Sequence, residues 1–293
     1  MRSRASSPAG WRRCPAGISS SSASSRPIIF WSVVRRSIGS RSAAADSTRA
    51  MSMCEQTPRD CAEAGYPAWK QWDRPFSVSP DEASYFAGET RDLAVAGADV
   101  LDIGFGSGAF LAWARERGAR VAGLEINPVL QAAARARGVD LLPSSLAEAA
   151  RENARRFDTI VAFDMFEHLD RDELAPALAA SCAMLKAGGR LALRFPNGQS
   201  PFGLAAQHGD PTHRTALSKT LLDLHLSALP LDCVRYGGVY RIGGGGLRRR
   251  LGRWARGLLR DALGLALEAA YGFDIPWDPV VVLVVERRPD GER

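Results

Sequence analysis

The stretch Val100-Leu-Asp102-Ile-Gly104-Phe-Gly106-Ser-Gly108 decides the fold. A short apolar run ends in three glycines placed at every second position. Such a run has the character of a strand buried on both faces. The glycines let the backbone turn sharply and let a ligand come close to it. Residues 110–117 then carry a helical pattern that Gly118 stops. A helix N-terminus facing a glycine loop attracts anionic and nucleotide groups. Gly104, Gly106 and Ala109 also satisfy the dinucleotide spacing GxGxxG/A, so the loop alone leaves the cofactor open.

Working outward, apolar runs at 120–124, 139–142, 157–163, 190–195 and 280–285 read as strands. Amphipathic stretches separate them: one opening at Pro128, one over 169–185 closed by Gly188 and Gly189. Alternation of this kind means crossover connections, hence an α/β, Rossmann-like doubly wound sheet, mostly parallel, with helices on both faces. Ligands in such sheets lie beyond the carboxyl ends of the strands. Glu125 stands at one such end, 21 residues after Gly104, where a carboxylate can accept both hydroxyls of a ribose.

The 293 residues are 46% hydrophobic and 24% charged, which excludes collagen, coiled coil and a wholly disordered chain. No apolar run approaches the roughly 20 residues that span a bilayer. The net charge of +6 comes from residues 1–50, with nine Arg and one acid; the remainder carries 29 basic and 31 acidic residues, a balance of −2. A nucleic-acid partner is therefore not expected. That first segment holds 14 Ser and is expected to be disordered, as a transit peptide or as the product of a start placed upstream of Met51 or Met53. Five scattered cysteines without a zinc spacing suit a reducing cytoplasm.

The ordered set Asp102-x-Gly-x-Gly-x-Gly, Glu125, Asp158, Asp164-Met-Phe-Glu167-His168 and Gly188-Gly189 resembles the class I S-adenosylmethionine-dependent methyltransferases over residues 95–200. The resemblance implies a seven-stranded sheet whose last strand is antiparallel, and S-adenosyl-L-methionine as cofactor. It places Asp102 near the methionine moiety, Gly104, Gly106 and Gly108 under the cofactor, Glu125 on the ribose and Asp164 between cofactor and acceptor. Many members carry an acid after strand three for the adenine; here Pro143-Ser144-Ser145-Leu146 leaves Ser144 or Leu146 for that contact. The segment from Phe195 through Asn197, His208, Asp210 and His213 to Ser218 resembles a bacterial subgroup with members acting on polysaccharide or other sugar-derived acceptors. A small or saccharide hydroxyl is thus the expected acceptor, and a monomer or homodimer the expected state.

For a hydroxyl acceptor the candidate bases are His168 and His213, since imidazole titrates nearest neutrality; His225 lies in an apolar helical stretch and reads as structural. Asp164, Glu167 and His168 resemble the segment associated with a divalent metal in quinone-biosynthesis O-methyltransferases, but acid–base work without a metal is the reading adopted. Residues 51–95, rich in aromatics, are expected to form capping helices before a domain over 96–293. That domain is expected to carry a basic helical insertion near 247–272, with six Arg over 247–260 and Leu247, Leu251, Trp254 and Leu258 on one face. It suits either an anionic membrane surface or its own domain. The rival readings are an NAD-dependent oxidoreductase and a cofactor-binding module without catalysis.

Overall fold

A computed structural model describes Lys70, Trp72 and residues 74–244 and 246–289. The basic tail over 1–50 and most of the capping segment's first half, Tyr66 and Trp69 included, lie outside the described residues.

The chain enters on α1 (Pro80–Glu89), whose N-terminus is closed by a capping box: Ser79 Oγ accepts from the Glu82 amide and Glu82 Oε2 accepts from the Ser79 amide. There follow β1 (Asp99–Ile103), α2 (Ala109–Glu116), β2 (Arg120–Leu124), α3 (Pro128–Arg135), β3 (Asp140–Leu141), α4 (Leu146–Glu152) and β4 (Phe157–Phe163). After a single 3-10 turn (Phe166–His168) come α5 (Arg171–Met184), β5 (Leu185–Pro196), α6 (Leu204–His208), α7 (Lys219–Leu226), β6 (Leu231–Gly238), α8 (Leu247–Tyr271) and β7 (Val280–Arg287). The seven strands form one sheet in the order β3-β2-β1-β4-β5-β7-β6. All pairs are parallel except those of β7, which runs antiparallel between β5 and β6.

Alternate strand residues feed two cores, as a period of two requires. Leu101, Ile160, Leu191 and Leu283 face α5 and α7, while Val100, Val161, Ala192 and Val284 face α1 and α2 through Phe86, Phe110 and Trp113. The strand order reverses beside β1, between β2 and β4, and the crevice of such a sheet opens at that point.

Two expectations shift. Strand β5 begins at Leu185, which pairs with Phe157; the register then slips and resumes at Thr159 opposite Arg190. The two glycines absorb that irregularity, Gly188 at φ +73° and Gly189 where a Cβ would stand 2.9 Å from the Lys186 carbonyl oxygen. Helix α4 has no counterpart in the sequence reading: only two turns long, it is too short to show a period, and Ser145 caps it. Among the described residues no helix is long and apolar enough to cross a membrane.

Leu193 is fully buried at the centre of the sheet. Its replacement by Ala should lower unfolding free energy by about 2–5 kcal/mol in urea titration, with the cavity left unfilled by neighbouring strands.

Candidate functional site

The loop between β1 and α2 holds three left-handed glycines: Gly104 at φ +71°, Gly106 at +51° and Gly108 at +73°. A Cβ on Gly104 would stand 2.6 Å from Met165, on Gly106 2.7 Å from the Trp72 indole, and on Gly108 2.5 Å from the Phe76 ring. The loop is tied to the end of β2 twice. The Gly104 amide donates to the Leu124 carbonyl at 2.8 Å, and the Gly106 amide donates to Glu125 Oε2 at 3.0 Å. Glu125 Oε1 accepts from the Ile126 and Asn127 amides at 2.8 and 3.0 Å. One lone pair of Oε2 therefore remains for a ligand hydroxyl.

Asp102, at the end of β1, is 3% exposed, and no hydrogen bond reaches its carboxylate among the described residues. Burial and the neighbouring Glu125 charge push its pKa up to about 8. Ser144 is spent locally: its hydroxyl donates to the Glu125 carbonyl at 3.1 Å and accepts from Gln131 Nε2. Leu146 opens α4 and packs against the core cluster on that side of the sheet.

Beyond β4 the chain turns on Asp164, a non-glycine residue at φ +56°. Arg194 of β5 holds its carboxylate in a two-point grip, Nε to Oδ1 at 2.9 Å and Nη2 to Oδ2, while Arg194 Nη1 donates to the Tyr85 hydroxyl at 3.0 Å. The 3-10 turn that follows points Glu167 inward. It is fully buried, both of its oxygens lack a hydrogen-bond partner, and burial together with Asp164 drives its pKa well up. His213 arrives from the loop after α6. Its Nδ1 donates to the Gln207 carbonyl at 3.0 Å, which leaves the Nε2 lone pair 3.8 Å from Glu167 Oε1.

His168 packs edge-to-face on His213 at 4.8 Å between centroids. Its Nδ1 lies 3.2 Å from the Thr212 carbonyl oxygen, which can only accept, so Nδ1 carries the proton. The Thr212 hydroxyl also accepts from that nitrogen and passes its own proton to Asp210. Asp210 is ion-paired to Lys70 at 2.8 Å, and its pKa is pushed down by Lys70 and Thr212 against its burial. Burial lowers the pKa of both histidines, so each is a neutral imidazole near pH 7. Glu167, His168 and His213 offer one ligand atom each within 4.8 Å of one another, a set able to share a proton or hold a divalent cation. Asp164, grouped with Glu167 and His168 on sequence, is instead turned to Arg194.

Residues 81–255 match the family described as "Methyltransferase domain". The chain belongs to this family. The ubiquinone biosynthesis O-methyltransferase of Xanthomonas oryzae pv. oryzae is 34% identical over 112 residues, 36% of this chain and 46% of that protein. The chain thus spans about half the length of the curated relatives it matches. Among solved structures, a chain of the complex between the Haloferax volcanii Trm112 methyltransferase activator and a methyltransferase aligns at TM-score 0.52 and 15% identity, over 80% of this chain and 99% of its own. The [4+2]-cyclase SpnF aligns at 0.50 and 17%, over 78% and 94%. These two likenesses establish the fold alone.

The residues present fit S-adenosylmethionine, the cofactor that the sequence resemblance implies. A buried carboxylate that receives no hydrogen bond among the described residues suits a cationic ligand end, and Glu125 keeps an acceptor for a ribose. The family match removes the NAD-dependent oxidoreductase reading, and so does the antiparallel β7, absent from the dinucleotide order 3-2-1-4-5-6. Sequence reasoning missed Arg194. Its signal was a charge in the middle of the apolar strand Leu-Ala-Leu-Arg-Phe.

Asp102, with its raised pKa, is stably housed only when protonated; the unfolded chain gives up that proton near pH 4, so its burial weakens the ligand-free fold increasingly from pH 4 to 8. Asp102→Asn should therefore raise ligand-free stability at pH 8 by an amount on the order of a few kcal/mol and leave it nearly unchanged at pH 4, read from urea midpoints at the two pH values.

Proposed function

We propose that this chain transfers the methyl group of S-adenosylmethionine to a hydroxyl oxygen of a small acceptor, with Asp102, Gly104, Gly106, Gly108 and Glu125 holding the cofactor. The observation that carries the reading is the Glu167, His168, His213 group beyond β4, joined to the glycine loop through Met165, whose side chain packs where a Cβ of Gly104 would stand. The bound cofactor supplies an electrophilic methyl on a sulfonium sulfur. The protein's share is to align the acceptor oxygen behind that methyl and remove its proton.

His168 takes the proton on Nε2, with Thr212 and the Asp210 charge favouring the imidazolium that results. His213 and Glu167 stand behind it and fix its orientation. Asp164, held by Arg194 with its side chain 41% exposed, borders the acceptor. Ser144 and Leu146 stand where the adenine is expected, Ser144 offering its remaining lone pair. The acceptor is a phenolic hydroxyl, as the name of the curated relatives suggests, or a sugar hydroxyl, as the segment after β5 suggests. Both have a face that the aromatic Trp72, Phe76 and Tyr85 can stack on. Cytoplasmic placement and a monomer or homodimer complete the reading.

A second reading rests on Glu167, whose buried oxygens lack hydrogen bonds. Glu167, His168 and His213 would hold a divalent cation, which would lower the acceptor hydroxyl's pKa.

Three measurements test these readings. Calorimetry with S-adenosylhomocysteine should show binding that Gly106→Arg abolishes and His168→Gln leaves intact. Turnover on catechol-type and sugar acceptors should fall about a hundredfold or more in His168→Gln, and about tenfold in His213→Gln. The reverse order would make His213 the base. Dialysis against EDTA should leave turnover unchanged; a loss restored by Mg²⁺ or Zn²⁺ would select the cation.

A further inference from the structure

Helix α8 has 25 residues, and one of them, Gly257, is buried. At 3.6 residues per turn, Leu247, Leu251, Trp254, Leu258 and Leu265 fall within about 60° of one another. They are exposed at 74%, 58%, 46%, 48% and 68%. The contacts that hold the helix lie on another side: Arg253 to Asp81 at 3.4 Å, Arg260 to Asp278 at 3.1 Å, and Gly257 and Gly264, the latter close to Trp277. The apolar stripe thus faces away from the domain that carries it. An exposed stripe of this length on one helix marks an interaction surface.

Charge identifies the occupant. Arg248 and Arg250 flank the stripe on either side, Arg249 and Arg256 lie further round, and none of the four forms an ion pair among the described residues. The helix carries no acid before Asp261, which is paired to Arg241 at 2.7 Å. A second copy packed parallel along the same stripe would bring unpaired guanidinium groups toward their own kind. A surface that is itself anionic neutralises them.

We propose that α8 lies on an anionic lipid bilayer, with Leu247, Leu251, Trp254, Leu258 and Leu265 entering the headgroup boundary and Arg248 and Arg250 resting on lipid phosphates. Register places this surface at the cofactor edge of the sheet. Strand β6 ends with Gly238 opposite Val281, and β7 begins with Val280 opposite Pro196 at the carboxyl end of β5. Between α8 and the loop after β5 runs a groove of about 410 Å³, lined by Phe202, Leu259, Leu263 and Trp277 with Arg256 and Arg260. An amphiphile with an apolar chain and an anionic head fits those walls.

The test is sedimentation of the full chain with phosphatidylcholine vesicles containing one quarter phosphatidylglycerol, against pure phosphatidylcholine vesicles. Wild type should bind the anionic vesicles at least tenfold more tightly. Leu251→Glu/Leu258→Glu and Arg248→Glu/Arg249→Glu/Arg250→Glu should each weaken that binding tenfold or more, with circular dichroism and S-adenosylhomocysteine affinity unchanged. Absence of binding by wild type overturns the proposal. Binding that survives both sets of substitutions also overturns it, assigning the attraction to another basic segment such as residues 1–50. A dimer in sedimentation equilibrium that Leu251→Glu converts to monomer, without vesicle binding, gives the face to a second copy instead.

Discussion

The absence of side chains at Gly104, Gly106 and Gly108 governs the whole carboxyl edge of the sheet, because three residues from two separate parts of the chain press into the space those side chains would fill. Met165 comes from the turn after β4, while Trp72 and Phe76 come from the segment before α1. Each contact is closer to the ideal Cβ position than real Cβ atoms allow, and each glycine also sits at a positive φ that other residues adopt only with strain. Glu125 then fixes the loop from the opposite side by accepting the Gly106 amide. The ends of β1, β2 and β4 and the entry to α1 are thereby keyed to one backbone path. A ligand lying on that path meets groups whose relative positions are set before it arrives.

Charge at the same edge is handled in two ways. Asp164, half-buried, and Asp210, buried, are both answered: the first by a two-point grip from Arg194, the second by Lys70 and Thr212. Asp102 and Glu167 are buried and receive no hydrogen bond among the described residues. An unanswered carboxyl in a low-dielectric site is destabilising, and its pKa rises until it holds a proton. Such groups persist in a fold where a ligand or a reaction supplies what the protein does not. The two unanswered acids lie on either side of the Gly104–Met165 contact. Under the proposed function the first would face the cofactor and the second the acceptor.

What the sequence revealed depended on how local the cause was. The glycine loop, Glu125 at the end of β2 and the helix opening at Pro128 were all legible, because each needs only a few neighbouring residues to be recognised. The start of β5 was not, since the pairing of Leu185 with Phe157 ahead of two glycines depends on a neighbouring strand. The grouping of Asp164 with Glu167 and His168 failed for a geometric reason. A positive φ at Asp164 and the 3-10 turn after it send side chains three residues apart in different directions. The true neighbour, His213, is 45 residues further along and is brought in by Arg214 and Thr215, whose amides both donate to the Glu167 carbonyl. No spacing rule reports a meeting of that kind.

Helix α8 exposes the limit of pattern reading from the other side. Its apolar stripe was visible as a period of 3.6, and a stripe normally predicts which face a helix buries in its own domain. Here the buried residue is a glycine, and the stripe looks outward. The insertion is possible without disturbing the sheet because β7 pairs along its length with both β5 and β6, and the helix between β6 and β7 buries only Gly257. The connection is therefore free to differ in length and surface while the loop after β1 stays as it is. Its position is not neutral, however. A helix hung from the carboxyl edge places its outward face and the groove beneath it beside the crevice where the acceptor must enter. An acceptor with an apolar tail could then present its hydroxyl to His168 while the tail remains along α8, so that one edge of the sheet would set both where the protein rests and what it methylates.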